Sequence, residues 1–273
     1  MSMNMPTIDR SECLEDGCCA RVCPSGHLVA GPGDVPQSVE VARCIECGHC
    51  VAVCPAGAIT LGGDRAEDLA PLRPGWRLDA ARSEQLLRGR RSTRAYREEP
   101  LPREAIAGLL ATAQYAPSGH NSQPIHWTVI QDRAGVQAVA AATAAWVRRM
   151  VDSGSPAASA LGLPGLLAQW DEGRDVLCRG APHLVVAHAP ASDKGGTIAG
   201  AIAITYLDLA AVSVGAGTCW AGYVFIAAGL SPEVAQALGV PEGRRCCGVS
   251  LLGRPAEEHL RIPNRRAPTV AWI

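Results

Sequence analysis

Bulky aromatic and lysine residues are nearly missing from these 273 residues: Phe225 is the only phenylalanine, Lys194 the only lysine, and aromatics reach 4%. A core must come from Ala, Val, Leu and Ile; the hydrophobic share of 48% and mean hydropathy of +0.08 suffice for one and exclude a disordered chain. Charge excess is also missing. The formal net charge of −1 gives no whole-chain field for nucleic acid. The opening stretch MSMNMPTIDR has no apolar leader-type segment, so a cytoplasmic location is expected. One apolar run, residues 197–230, is longer than the roughly 20 residues of a membrane span. Asp208 within it would cost about 2.5–3.5 kcal/mol at the bilayer centre, and Gly215 and Gly217 break its helical continuity. The expectation is a core or dimer-interface helix, then a turn and a strand, with no membrane.

What the chain has is cysteine. There are 12, and eight of them, Cys13, Cys18, Cys19, Cys23, Cys44, Cys47, Cys50 and Cys54, fall in the first 54 residues. In a reducing compartment such dense, regular spacing points to metal or iron–sulfur ligation before disulfides. Cys44-x2-Cys47-x2-Cys50-x3-Cys54-Pro55 matches the bacterial ferredoxin spacing throughout. Three thiolates two residues apart wrap one cluster, and the fourth, followed by proline, reaches another. Zinc would use two CxxC pairs and leave the third thiolate and the Cys-Pro ending unexplained. The earlier motif keeps the same offsets at Cys13, Cys19, Cys23 and Pro24, but Asp16 stands where Cys47 does and an extra thiol, Cys18, follows. Three arrangements are open for that odd corner: Asp16 as ligand, Cys18 in its place, or an empty corner in a three-iron cluster. Either way two clusters are expected, 4Fe–4S or, for the first, 3Fe–4S.

Residues 61–83 are rich in Gly, Pro and charge and read as a surface linker. Beyond them, 103–115 and 133–150 have helical apolar spacing, and 127–131, 183–189 and 246–252 read as strands. Residues 151–180 read as a helical insertion, placed to roof a pocket. The expected organisation is an iron–sulfur domain over 1–62, a linker over 63–82 and an α+β domain over 83–273.

Four pieces of that last domain suit a phosphate-bearing flat ligand. Arg90, Arg91, Ser92 and Arg94 offer guanidiniums and a hydroxyl to a phosphate. The loop Ala116–Pro124 brings Pro117, Ser118, Gly119 and Asn121, with free backbone donors. Val214–Gly222 places Ala216 and Gly217 where a backbone can approach a ring, without the GxGxxG of a Rossmann site. Leu252-Gly253-Arg254-Pro255 and a terminal stretch with Arg265 complete the set.

On those pieces residues 83–273 resemble the FMN-dependent nitroreductases, and residues 6–62 resemble a two-cluster bacterial ferredoxin; the whole is similar to the ferredoxin-fused nitroreductase family. The resemblance implies a small ferredoxin-like domain followed by an α/β/α sandwich that dimerises, with FMN at the subunit interface. It implies Arg90, Ser92, Arg94 and Arg265 at phosphate and ribityl, Ala216 and Gly217 near the ring, and Pro117, Ser118 and Gly119 reaching FMN from the partner. It also implies Cys13, Cys19 and Cys54 on one cluster and Cys23, Cys44, Cys47 and Cys50 on the other. Two positions depart from the family. Ile125 replaces a common aromatic, which would widen the substrate face, and Arg94 stands where lysine is frequent. Cys219, Cys178, Cys246 and Cys247 read as small core residues, His126 and His183 as structural, and no general acid is assigned. The expected activity is electron transfer from an external donor such as ferredoxin through the clusters to FMN and a small organic acceptor. Two alternatives are a dehydrogenase draining electrons outward and a non-catalytic carrier or flavin-binding regulator.

Overall fold

A computed structural model describes residues 5–40 and 43–273; the first four residues of the expected iron–sulfur domain and positions 41–42 lie outside the described residues. The chain divides into two compact units, 1–77 together with 119–122, and 78–118 together with 123–273. By sequence, 119–122 belong to the second domain; by contacts they belong with the first.

The first unit is built from two small ribbons and two single-turn helices. Strand β1 (Pro6–Ile8) precedes α1 (Cys18–Arg21), β2 (Leu28–Val29), β3 (Gln37–Ser38), α2 (His49–Val53) and β4 (Ile59–Leu61). β1 pairs antiparallel with β4, Pro6 opposite Leu61 and Ile8 opposite Ile59, and β2 pairs with β3. Its buried apolar cluster is Cys19, Leu28, Cys50, Val51, Ile59 and Leu61. So small a core rarely supplies more than about 3–5 kcal/mol, and units of this kind need a further staple. The expected linker holds two 3-10 turns, Ala66–Asp68 and Pro74–Trp76, and is mostly exposed.

The second unit is a four-stranded antiparallel sheet with helices on both faces. Its elements are α3 (Ala80–Gly89), α4 (Arg103–Ala113), β5 (His126–Ile130), α5 (Arg133–Asp152), α6 (Pro156–Ala160), α7 (Leu163–Asp171), β6 (His183–Pro190), α8 (Gly196–Ala211), β7 (Gly217–Trp220), α9 (Gly222–Leu230), α10 (Pro232–Ala237) and β8 (Arg244–Gly253). The strand order is β5-β6-β8-β7. Residues 183–189 of β6 are all buried, which explains a continuous apolar run instead of an alternating one. Leu184 and Val186 face one core with Val136, Val139 and Val147 of α5 and Val224 of α9. Val185, Ala187 and Ala189 face the other, with Ile106 and Leu109 of α4 and Ala203, Ile204 and Leu207 of α8.

Local signals set the helix ends. Asp79 accepts the backbone N–H of Arg82 at 2.7 Å at the start of α3, and Asp132 accepts that of Gly135 at 2.7 Å at the start of α5. The apolar run resolves into α8, β7 and α9. α8 buries Ala199, Gly200, Ala203, Ile204 and Leu207, and leaves Ile198 and Tyr206 exposed. Residues 196–214 are long and apolar enough to cross a membrane by length and composition. Gly200 is forced: a Cβ there would lie 2.4 Å from Cys247 Cβ, so the helix backbone rests directly on β8.

Candidate functional site

In the first unit the two cysteine loops fold alike despite their different residues. Glu15 and Glu46, each two positions after the first cysteine, take φ of 54° and 52°. Gly17 and Gly48 follow with φ of 65° and 71°, left-handed turns that open α1 and α2. The backbone N–H of Glu15 donates to Cys13 Sγ and that of Glu46 to Cys44 Sγ, each at 3.4 Å. Asp16 therefore holds the place of Cys47, and Cys18 that of His49, the first residue of the following helix. The Asp16 carboxylate accepts the Cys18 N–H at 3.0 Å, a bond that lowers its pKa. Burial, then the Asp16 carboxylate beside it, push the Cys18 thiol up to about 11.

Cys23, Cys44, Cys47 and Cys50 line one cavity, with Ile45, Gly48 and Leu61 among its walls. Cys19 lies within electrostatic reach of Cys13 and Cys54, and Cys18 of Cys19 and Cys54. Among the described residues no three His, Cys, Asp or Glu side chains close on a single ion.

In the second unit Arg90, Arg91, Ala216 and Gly217 line one cavity of about 970 Å³. Sequence reasoning missed Thr93, Asp208 and Thr218 in the same wall. Thr93 reads as a spacer inside an arginine motif, and Asp208 as an interruption of an apolar helix. Thr93 donates its backbone N–H to Thr218 O at 2.8 Å, which fastens the arginine segment along β7. Gly217 permits this approach, because a Cβ there would lie 2.0 Å from Thr93 Oγ1. Asp208 Oδ2 is 3.9 Å from Arg90 Nη1, while its Oδ1 is buried with no hydrogen-bond partner among the described residues. Burial raises the Asp208 pKa, against hydrogen bonding from Thr218 and the charge of Arg90.

The remaining candidate residues lie elsewhere. Pro117 and Ser118 line a separate crevice of about 10 Å³ with Gln123, Pro124 and Trp127. Gly119 and Asn121 belong to the first unit, where Asn121 Nδ2 donates to Glu46 O at 2.9 Å and Ile45 O at 3.3 Å. Ser92 is half-buried, and Arg94 and Arg265 are exposed, the latter in the irregular C-terminal stretch. None of the three lines the large cavity.

Two sequence expectations change, and the structural reading of His183 holds. The cavity is walled by residues 257–262, not by 151–180, whose α6 and α7 bury Ala158, Leu163, Leu166 and Leu167 in the core. Ile125 is 7% exposed and packs in the core with Leu109 and Ala203, so it presents no substrate face. His183 is fully spent: Nε2 accepts the Leu101 N–H at 2.8 Å and Nδ1 donates to Gln131 O at 2.7 Å. The other histidine pair is a buttress. Arg244 donates from Nε to His188 Nδ1 at 2.7 Å and from Nη2 to Pro124 O at 2.9 Å, pinning the end of the 116–124 loop. Burial, then Arg244 and His126, push His188 down to about 4.

Residues 87–254 match the model of the nitroreductase family. The chain belongs to the nitroreductase family. Ahead of that region, residues 5–55 match a 4Fe-4S dicluster domain, so this nitroreductase carries an iron–sulfur domain at its front. It is similar to nitroreductase NfnB of Mycolicibacterium smegmatis, 38% identical over 55 residues, which span 20% of this chain and 24% of that protein. Among solved structures it is similar to an FMN-bound nitroreductase from Bacteroides fragilis at a TM-score of 0.57 and 24% identity, covering 69% of this chain and 97% of that one. An FMN-bound nitroreductase from Desulfitobacterium hafniense follows at 0.55 and 23%, covering 69% and 96%. An iodotyrosine deiodinase with FMN and 3-iodo-L-tyrosine superposes at 0.51 and 20%, covering 68% and 96%. These likenesses establish the fold of the second unit, an α+β sandwich. One fold serves different substrates in these proteins.

Proposed function

We propose that this nitroreductase takes single electrons from an external donor such as ferredoxin, carries them through two 4Fe–4S clusters to FMN, and delivers them as a pair to a small organic acceptor. Nitro groups, quinones and conjugated double bonds are the acceptor classes. The observation that carries this reading is the family assignment of 87–254 joined to a dicluster domain in which four thiols surround one cavity. Bound FMN supplies the conversion between one-electron and two-electron chemistry.

The chain's own residues supply the rest. Cys23, Cys44, Cys47 and Cys50 hold one cluster; Cys13, Cys19 and Cys54 hold the other, with Asp16 or Cys18 at its odd corner. Arg90 and Arg91 hold the phosphate, as befits guanidiniums in a cavity of about 970 Å³, within the usual ligand range of about 300–1,000 Å³. Ser92, Arg94 and Arg265 join them when the ligand draws those segments in. Asp208 Oδ1, buried and lacking a donor, accepts a hydroxyl or N–H of the ligand. Ala216 and Gly217 let the ring approach the backbone of β7. Pro117, Ser118 and Gly119 serve the FMN of the partner in a homodimer, which is supported by their absence from the arginine-lined cavity. We place it in the cytoplasm, a reducing compartment in which thiols stay free to ligate clusters.

Anaerobic purification with joint analysis of iron, sulfide and flavin tests the cofactors. Stopped-flow spectroscopy tests the relay. Reduced ferredoxin should bleach the flavin of the full chain, and rapid bleaching by NADH in a variant lacking both clusters would refute the route through them.

A further inference from the structure

We infer that Asp208 is the specificity-determining residue of the arginine-lined cavity, and that it selects a ligand whose phosphate is neighboured by a hydroxyl: a phosphorylated polyol and not a bare anion. The inference rests on the flavin reading above and narrows it to the ribityl phosphate end of FMN.

Asp208 is the one charged residue between Gly196 and Val214, a stretch apolar enough to cross a membrane by length and composition. A carboxylate set in such a helix needs donors, and this one is short of them. Its side chain is 18% exposed, and Oδ2 lies 3.9 Å from Arg90 Nη1, an ion pair too long for a hydrogen bond. Thr218 supplies one hydrogen bond. Oδ1 is buried and has no hydrogen-bond partner among the described residues. An ionised carboxylate has about four acceptor sites, and leaving them empty away from water is costly.

The surrounding wall does not make up the shortfall. Ala216 donates its N–H to Ala211 O at 3.0 Å, and Thr93 donates its own to Thr218 O at 2.8 Å. Leu86, Val212 and Ile262 bring apolar surface. Of the four arginines in the wall, Arg82, Arg90, Arg91 and Arg261, only Arg90 pairs with the carboxylate among the described residues. The missing donor has to come from the ligand.

The pairing of Asp208 with Arg90 says what kind of donor. Arg90 and Arg91 attract anions, and guanidiniums hold phosphate through paired N–H groups. A sulfate ion gains those bonds, but it brings negative charge up to the Asp208 carboxylate and offers it no proton. A phosphate ester with a hydroxyl on an adjoining carbon serves both groups, its phosphate oxygens accepting from the guanidiniums and its O–H donating to the carboxylate. The outer torsion of an aspartate is broad and two-fold, so either oxygen can turn to face that hydroxyl. The ribityl chain of FMN carries such hydroxyls beside its phosphate.

The test uses the full chain with its clusters intact and its flavin removed, under anaerobic conditions. Flavin fluorescence follows titration with FMN and with a synthetic flavin of the same ring, whose phosphate ends a five-carbon chain bearing no hydroxyls. The parent should bind FMN at least about tenfold more tightly than this analogue, as expected for one hydrogen bond to a charged group. Asp208→Ala should weaken FMN by a similar factor and leave the analogue unchanged or tighter; comparing two ligands in two proteins isolates the contact. Sulfate should displace the analogue from Asp208→Ala at lower concentration than from the parent, because a repelling charge is gone. Asp208→Asn, close in shape and still holding one acceptor oxygen, should keep part of the preference for FMN. A parent with no preference between the two flavins would overturn the inference without recourse to any variant. So would Asp208→Ala or Asp208→Asn weakening both flavins equally, which would make Asp208 a prop for Arg90. A parent that binds neither flavin, or an Arg90→Ala protein with parental FMN affinity, would instead refute the flavin site itself.

Discussion

Replacing Gly217 with alanine tests how the cavity wall is built. The new Cβ would lie 2.0 Å from Thr93 Oγ1, 2.9 Å from Thr93 Cβ and 3.0 Å from Pro255 Cγ. Thr93 is 6% exposed, and its Cβ as well as its Oγ1 would meet the new methyl, a clash that rotation of the side chain alone does not clear, so the segment carrying Arg90 and Arg91 must move off β7. Overpacking of this kind costs about 1–3 kcal/mol. Losing the bond from Thr93 N–H to Thr218 O would add about 0.5–1.5 kcal/mol. In a domain of this size about 1 kcal/mol moves Tm by roughly 2–4 °C, so calorimetry of the flavin unit's transition should show a fall of roughly 3–18 °C. Flavin retention on gel filtration should fall with it, because both arginines move. Thr93→Ala removes the nearest atom and should restore part of both losses in the double variant, a coupling read from the cycle of four proteins. A Gly217→Ala protein with parental Tm and flavin content would refute the account of the close approach.

Four further outcomes are expected. His188 is held neutral in the fold, at about 4 against an ordinary 6.5, so the unfolded chain binds the extra proton between those values; stability should fall as pH drops from about 6.5 to 4, by up to about 3 kcal/mol, and urea titrations of His188→Gln should lose most of that slope. Arg244→Ala removes the donors to His188 Nδ1 and Pro124 O and should cost about 2–3 kcal/mol, with faster hydrogen exchange at Gln123 and Ile125. Asp16→Cys restores the full ferredoxin spacing on a backbone that already matches the second loop; iron analysis should give about eight irons per chain, and about seven would mean that its corner stays empty. Anaerobic removal of iron should melt the first unit, whose apolar core is six residues, and spare the near-ultraviolet dichroism of the second.

The two cysteine loops are where the amino-acid order speaks most directly. Ligand chemistry at short range depends on spacing along the chain, so the Cys-x2-Cys-x2-Cys-x3-Cys run carries its own geometry. The strands over 127–131, 183–189 and 246–252 and the helices over 103–115 and 133–150 are equally plain, because apolar period follows local backbone geometry. The flavin candidates are less legible. Their chemistry is right for a phosphate, but Ile125 turns into the core, and Thr93, Asp208 and residues 257–262 enter the cavity wall with no motif to mark them. Asn121 shows the limit most clearly: an amide suited to a ligand is spent on the carbonyls of a loop 75 residues away.

By itself the sequence determined the number and spacing of the thiols, the periods of the helices and strands, and the order of the four flavin-type segments, since each is a property of neighbours along the chain. The tertiary structure decided that Gly217 lets Thr93 lie against β7, and that the 119–122 segment packs with the Cys44–Cys47 loop. Those are contacts between residues far apart in sequence, fixed by packing and hydrogen-bond direction, which no local pattern encodes.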